Sequence, residues 1–356
     1  MINWVHTLHR LARDGTAAVV VTVAASRGSA PREPGAKMIV TAADMVGTIG
    51  GGHLEHKAIA IARDLLASGA HGAMHRFPLG ASLGQCCGGV VNLLFEPVIA
   101  AAPWLDALAM LQHDRIPCVR VSTAHGDAAA GHLLVTAERT IGSLGGALDD
   151  EARDFARSLL AGDDGPRMRE FGDVAAPTPL YFEPLRAPDF HIVLFGAGHV
   201  GKALVRVLSG LPCHITWVDS RGDQFPRDVP DNVTIACTDA PEAEVDAARP
   251  GSSFLVMTHS HALDQELTER ILRRGDFAYF GLIGSISKRR QFEKRMAGRG
   301  VPPARFASMT CPIGVPGIDG KDPAAIAIAV AAELLLVRER RVATTATTTP
   351  AAAQRA

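Results

Sequence analysis

The sequence predicts an α/β chain of two domains: an N-terminal α+β domain built by internal duplication, then a doubly wound parallel sheet. Three observations carry this reading. The chain has 356 residues, 47% of them apolar, which at ~150 residues per domain gives about two domains with ordinary cores. Its first 185 residues align with themselves. From residue 190 onward, buried-type strands alternate with helices, and the first strand runs into Gly196-Ala197-Gly198-His199-Val200-Gly201.

Charge and cysteine content narrow the function classes. Lys and Arg number 36 against 37 Asp and Glu, a net charge of -1, so no overall basic field draws the chain to nucleic acid or an anionic membrane. The start, MINWVHTLHRLARDG, has no long apolar core or small-residue cleavage site, and no run reaches the ~20 apolar residues of a membrane span. A cytoplasmic protein is expected. The six cysteines (86, 87, 118, 213, 237 and 311) are sparse and two are adjacent, which suits thiols better than a disulfide framework.

The duplication is read residue by residue. VTAADMVGTIGG (40–51) matches VTAERTIGSLGG (135–146) at an offset of 95, and LEHKAIAIARDLLA (54–67) matches LDDEARDFARSLLA (148–161) after one deletion. Met74 to Phe77 then matches Met168 to Phe171, and Phe95-Glu96-Pro97 matches Phe182-Glu183-Pro184. Each copy reads as strand, turn, strand, glycine-rich turn, helix, strand. Leu54, Ala58, Ile61, Ala62, Leu65 and Leu66 form one apolar stripe, and Leu148, Ala152, Phe155, Ala156, Leu159 and Leu160 form its counterpart. Two related halves, about 17–97 and 113–184, are expected to pack as one domain over 1–186. A second domain over 187–341 and a disordered tail over 342–356 follow from composition.

The copies differ in three places. Only the first has Gly28-Ser29-Ala30-Pro31-Arg32, a triple glycine at Gly50, Gly51 and Gly52 before Leu54-Glu55, and Leu83-Gly84-Gln85-Cys86-Cys87-Gly88-Gly89. An isolated glycine pair usually serves a turn, but three clusters in one copy point to a site.

In the C-terminal domain each fingerprint glycine has its own reason: a tight turn at Gly196, backbone approach to an anion at Gly198, and close helix-to-strand packing at Gly201. Asp219 ends the next strand, 18 positions after Gly201, near the ~20 expected of a ribose contact. Arg221 offers a 2'-phosphate partner instead, and the atypical His199 leaves other phosphate-bearing ligands open. His259 and His261 are placed at a strand end, where two-residue spacing puts both rings on one face, and Asp264 begins the next helix; the pair is weighed as metal ligands or as a hydrogen-bonded loop. The first turn at Gly284-Ser285-Ile286-Ser287-Lys288-Arg289-Arg290 reads equally as an anion site or as a solvated basic turn. Asp322 before Pro323 reads as an N-cap followed by the first helical residue. Adjacent Cys86 and Cys87 make a poor tetrahedral zinc site, whereas thiolates flanked by glycines suit a soft centre on a bulky ligand.

Taken together, Gly47-Thr48-Ile49-Gly50-Gly51-Gly52-His53-Leu54-Glu55, Leu83 to Gly89, Phe195 to Gly201, Thr258-His259-Ser260-His261 and Cys311-Pro312-Ile313-Gly314 resemble the XdhC/CoxI family. The likeness runs from about residue 15 to 340. It implies a chaperone for the molybdenum cofactor, molybdopterin, with no catalytic residues of its own. Such a protein holds the cofactor while a cysteine desulfurase supplies its sulfido ligand, then delivers it to apo xanthine dehydrogenase. On this resemblance Cys86 or Cys87 faces the molybdenum, with Gln85, Gly88 and Gly89 around them. Gly50, Gly51 and Gly52, with Glu55, pack at the pterin. Gly196, Gly198, His199, Gly201 and Asp219 take its phosphate or a nucleotide such as NAD(P). Ile286 and Ser287 depart from the more basic residues expected there. A homodimer is plausible. The alternative is an NAD(P)-dependent oxidoreductase, and a third reading is a metal-binding scaffold on His259 and His261.

Overall fold

The valine-rich run Ala18–Arg27 (β1) is the centre of an antiparallel sheet, because β-branched side chains at alternate positions fill both faces of a pleated, fully covered strand. A computed structural model describes residues 4–79, 88–98, 102–124, 131–162, 164–173, 175–186 and 190–348, with side chains through 341. The chain divides into two compact units, Met1–Ala187 and Pro188–Ala356.

In the first unit β1 pairs with β2 (Lys37–Val40) and β5 (Val90–Val98), while β3 (Met45–Gly47) and β4 (Ala73–Pro78) form the edges. A second sheet holds β6 (Cys118–Thr123), β7 (His132–Val135), β8 (Thr140–Gly142), β9 (Arg167–Phe171) and β10 (Thr178–Leu185). The strand orders, β3-β2-β1-β5-β4 and β8-β7-β6-β10-β9, are the same. One face of each sheet is covered by a helix: α2 (Gly52–Ser68) through Leu54, Ala58 and Ala62, and α4 (Leu148–Ala161) through Ala152, Ala156 and Leu159.

The repeat reaches further than 17–97 and 113–184. Helices α1 (Trp4–Arg13) and α3 (Pro103–His113) share one core with Val20 and Ile39 of the first sheet and Cys118 and Leu134 of the second. They are equivalent: Trp4, Leu8 and Leu11 correspond to Trp104, Leu108 and Leu111. Gly15, with φ 69°, corresponds to Arg115, with φ 57°, the one positive-φ residue other than glycine among those described. The sheet-to-sheet cluster Ala24, Leu94, Ala124, Tyr181, Met74 and Met168 is likewise three equivalent pairs.

Charge is exchanged between the halves at the same interface. Arg120, 1% exposed, donates through Nη1 and Nη2 to Glu96 at 2.9 Å each and through Nε to Glu183 at 3.1 Å. Lys37 Nζ reaches Glu183 at 2.8 Å, and in the equivalent contact His132 Nε2 lies 3.7 Å from Glu96. Lys37 sits over the Trp4 ring and His132 stacks on Trp104. Burial is the largest influence on Glu96 and opposes its ionisation, but Arg120 and His132 outweigh it and hold its pKa well below the usual carboxylate value.

The second unit is a six-stranded parallel sheet in the order β13-β12-β11-β14-β15-β16. Its strands are β11 (His191–Phe195), β12 (His214–Asp219), β13 (Val233–Cys237), β14 (Ser253–Val256), β15 (Tyr279–Leu282) and β16 (Met309–Thr310). Helices α5 (His199–Leu208) and α9 (Pro323–Thr348) cover one face. Helices α6 (Glu242–Ala247), α7 (His261–Arg274) and α8 (Ile286–Ala297) cover the other. The doubly wound, Rossmann-like architecture read from the sequence is therefore present. The tail expected from residue 342 is corrected in part, since α9 continues to Thr348. A helix already nucleated by its packed first turns propagates at the cost of one residue per added hydrogen bond. Among the described residues no helix is long and apolar enough to cross a membrane.

Candidate functional site

Following the repeat through the structure shows where the first half has been enlarged. The offset between equivalent residues is 100 at Val19 and Val119, 95 at Val40 and Val135, 94 at Leu54 and Leu148, and 87 at Phe95 and Phe182. Each drop marks extra residues in the first half: in the β1–β2 connection, at the glycine turn before α2, and in the β4–β5 hairpin. Those are the three glycine clusters.

The structure brings all three together. A Cβ on Gly50 would lie 2.5 Å from Pro31 Cβ, and one on Gly89 would lie 2.3 Å from the Ser29 carbonyl oxygen. Gly89 O accepts from Leu79 N at 2.8 Å, which closes the foot of the hairpin. Among the described residues nothing lies within 4 Å of a Cβ placed on Gly51 or Gly88. Gln85, Cys86 and Cys87 lie outside the described residues.

Gly50, Gly51 and Gly52 have φ of 124°, 75° and 66°, a run of conformations that glycine adopts without a Cβ penalty. In the second half Gly145 and Gly146 have φ of 110° and 76°, and the next residue, Ala147, has φ of -62°. The missing residue is thus the third left-handed position. Glu55 braces the turn: its Oε2 accepts from Thr48 Oγ1 at 2.6 Å and from the Ile49 and Gly51 amides at 3.1 Å each. Asp149 does the same for Ser143 Oγ and the Leu144 amide. The Glu55 arrangement therefore belongs to the repeat, and two turn amides already donate to it. What the turn leaves accessible is bare backbone at Gly51 and Gly88, a surface suited to a flat, bulky ligand.

In the second unit the motifs gather at the carboxyl edge of the sheet, where α/β folds of this order bind ligands. Gly196 has φ 119°, and a Cβ there would lie 2.4 Å from Met257 O. A Cβ on Gly201 would lie 2.1 Å from Gly196 O, which also accepts from Trp217 Nε1 at 3.0 Å. Gly198 is open and caps α5, and His199 is exposed. Asp219 is committed within the protein. Its Oδ2 accepts from the Ala197 amide at 2.7 Å, and Arg221 binds both oxygens at 2.9 Å. Burial works against the charged carboxylate, but these bonds prevail and bring its pKa down to about 2.

Two further readings change. Strand β14 ends at Val256, so His259 lies in the following loop and His261 opens α7; the shared strand face expected for their rings does not exist. Asp264 organises that loop, accepting from the Thr258 amide and hydroxyl at 3.0 and 2.7 Å and from Lys288 Nζ at 2.6 Å. Lys288 is thereby withdrawn from any anion at the α8 start, and Arg289 pairs with Glu293. Gly314 N and Tyr279 OH both donate to Glu333 Oε2, fixing the Cys311 to Gly314 loop on α9. Cys118 and Cys213 are free thiols that burial pushes up to about 12 and about 11, the range of inert cysteines. Among the described residues no group of three or more His, Cys, Asp or Glu could hold a metal ion.

Sequence reasoning missed the Arg120 cluster. Its one visible signal was the repeated Phe-Glu-Pro; nothing marked the cations that reach those glutamates.

Comparison with known proteins covers both units. Residues 11–78 match a family model described as the XdhC and CoxI family, and residues 192–334 match one described as the XdhC Rossmann domain. An Escherichia coli (strain K12) protein, the uncharacterized protein YqeB, is 29% identical over 150 residues, 41% of this chain. The match spans 27% of the length of that relative. A crystal structure from Bacillus halodurans, described as a xanthine dehydrogenase, superposes with a TM-score of 0.71 at 21% identity, over 96% of this chain and 97% of that one. At that identity the likeness is one of fold.

Proposed function

The chain belongs to the XdhC and CoxI family, and from that premise we propose that it is an accessory factor for xanthine dehydrogenase maturation that carries molybdopterin as cargo. The observation that supports this most is the enlargement of the first half at three places that the 28–32 segment joins, Pro31 lying against Gly50 and Ser29 against Gly89. A duplicated fold needs no such extras for stability, since the second half folds without them. In this reading Gly51 and Gly88 let the flat pterin lie against the backbone, while Glu55 keeps the turn rigid from behind. A thiol of Cys86 or Cys87 meets the molybdenum or its exchanged sulfur. The carrier shields its cargo while a cysteine desulfurase supplies sulfide, then passes it to the apo-dehydrogenase.

The open Gly198 at the start of α5 is assigned, within the second unit alone, a nucleotide or other phosphate-bearing ligand. A dinucleotide-dependent oxidoreductase is disfavoured by the Asp219–Arg221 pair, which occupies the carboxylate that the glycine spacing set aside for a ribose. A homodimer is the assembly this reading adopts.

The test is equilibrium binding of molybdopterin to the wild type and to the Cys86→Ala, Cys87→Ala and doubly substituted proteins, followed by reconstitution of apo xanthine dehydrogenase. The proposal expects tight binding by the wild type, loss in the double variant, and reconstitution in proportion to binding. Equal binding by all four proteins removes the thiols from the account, and no binding by the wild type removes the cargo.

A further inference from the structure

The stretch 286–300 carries Lys288, Arg289, Arg290, Lys294, Arg295 and Arg299 against the single acid Glu293, in a chain of net charge -1. The structure sorts these cations. Lys288 is buried on Asp264, and Arg289 is taken by Glu293. Arg290 and Lys294 are exposed and meet no carboxylate among the described residues, and Arg295 donates to the neutral Gln265 Oε1 at 2.9 Å. Beside them lies an open groove of about 570 Å³ lined by Gln265, Gln291, Lys294, Arg295, Gly298 and Arg299. Arg299 and Arg273 share Glu269, leaving one positive charge, so with Lys294 and Arg295 the groove and its rim hold a net charge of +3.

We propose that this groove docks an extended acidic segment of a partner protein, with Asp or Glu at alternate positions. Two features select that ligand over a compact phosphate. A compact phosphate is often held by backbone amides at a helix N-terminus as well as by cations, whereas this groove flanks the C-terminal end of α8, where the Gly298 amide already donates to Lys294 O and Met296 O. Its donors are instead long side chains one helical turn apart, Gln291 and then Lys294 and Arg295, about 6 Å along the helix from i to i+4, with exposed Arg290 one turn before Lys294 outside the groove lining. Alternate side chains of an extended chain are ~6.6 Å apart. The inference is independent of the cofactor reading: it concerns residues that have no part in that site.

The experiment is fluorescence anisotropy of a labelled peptide of four Glu-Ser repeats with the full-length protein, against a peptide of the same composition with its glutamates in one block. The alternating peptide is expected to bind more tightly than the block peptide. Its affinity should fall at least tenfold with Lys294→Glu and further with Arg290→Glu/Lys294→Glu, whose side chains hold nothing in the fold. Unchanged affinity in both variants overturns the proposal. Equal binding of the block peptide overturns the extended geometry, and tripolyphosphate binding at Lys294 without peptide binding overturns the ligand class.

Discussion

Replacing Arg120 by methionine tests how the two halves of the first unit are held together. The guanidinium gives three hydrogen bonds, two to Glu96 and one to Glu183, from a position 1% exposed. After Arg120→Met, Glu183 keeps Lys37 at 2.8 Å, while Glu96 keeps only His132 at 3.7 Å. Glu96 is then a buried charge without adequate compensation, and breaking such a pair costs about 3–5 kcal/mol. For a unit of this size each kcal/mol moves the melting midpoint by about 2–4 °C, so a drop of about 6–20 °C is expected in the transition of the first unit. Calorimetry at pH 5 and pH 8 checks both size and sign. In the wild type the depressed Glu96 pKa gives stability that is full above the unfolded-state value and is lost as pH falls through the folded one. In Arg120→Met burial dominates and raises that pKa, so the deficit should be larger at pH 8 than at pH 5. Adding Glu96→Gln should recover at least half of it. A shift under 3 °C, or no recovery in the double variant, refutes the reasoning.

Other outcomes follow from single positions. Gly201→Ala places a methyl 2.1 Å from Gly196 O, a backbone atom that cannot step aside, and should destabilise the second unit by about 1–3 kcal/mol; Gly198→Ala meets no described atom within 4 Å and should lose only the preference for glycine over alanine at the α5 N-cap, under about 1 kcal/mol in the same scan. Asp219, with a pKa lowered to about 2, stabilises the second unit above the unfolded carboxylate value of ~3.8, and that contribution disappears as pH falls toward 2. Acid unfolding of the wild type and of Asp219→Asn, followed by circular dichroism, should therefore converge between pH 4 and pH 2; a constant gap across that window contradicts the assignment.

What could be read from the sequence follows from where the shared physics lies. The repeat was visible in 40–67 and 135–161 because the same glycine turn and helix stripe are needed to cover each sheet. The equivalence of α1 and α3 was hidden because the enlarged β1–β2 connection changes the offset from 100 to 95, and Arg115 stands where Gly15 does. The tight turn at Gly196 and the close packing at Gly201 were legible, since backbone crowding at those places is a property of the strand-turn-helix itself. Asp219 was located by spacing, yet its partner Arg221, two residues on, sets what it does. The partners of Glu96 and Glu183 were invisible because Lys37 and Arg120 each reach across to the other half, a contact no local pattern encodes. His259 and His261 were misplaced because β14 stops at Val256, and the loop after it is shaped by Asp264, which was read only as a helix start.

The measurement that bears most directly on the central claim is a pteridine fluorescence titration of Gly88→Trp beside Gly165→Trp. Among the described residues nothing lies within 4 Å of a Cβ on either glycine, so both variants should fold, but only Gly88 belongs to one of the three enlargements. The account predicts that Gly88→Trp weakens molybdopterin binding at least tenfold while Gly165→Trp binds like the wild type. Equal affinity in the two variants would contradict it.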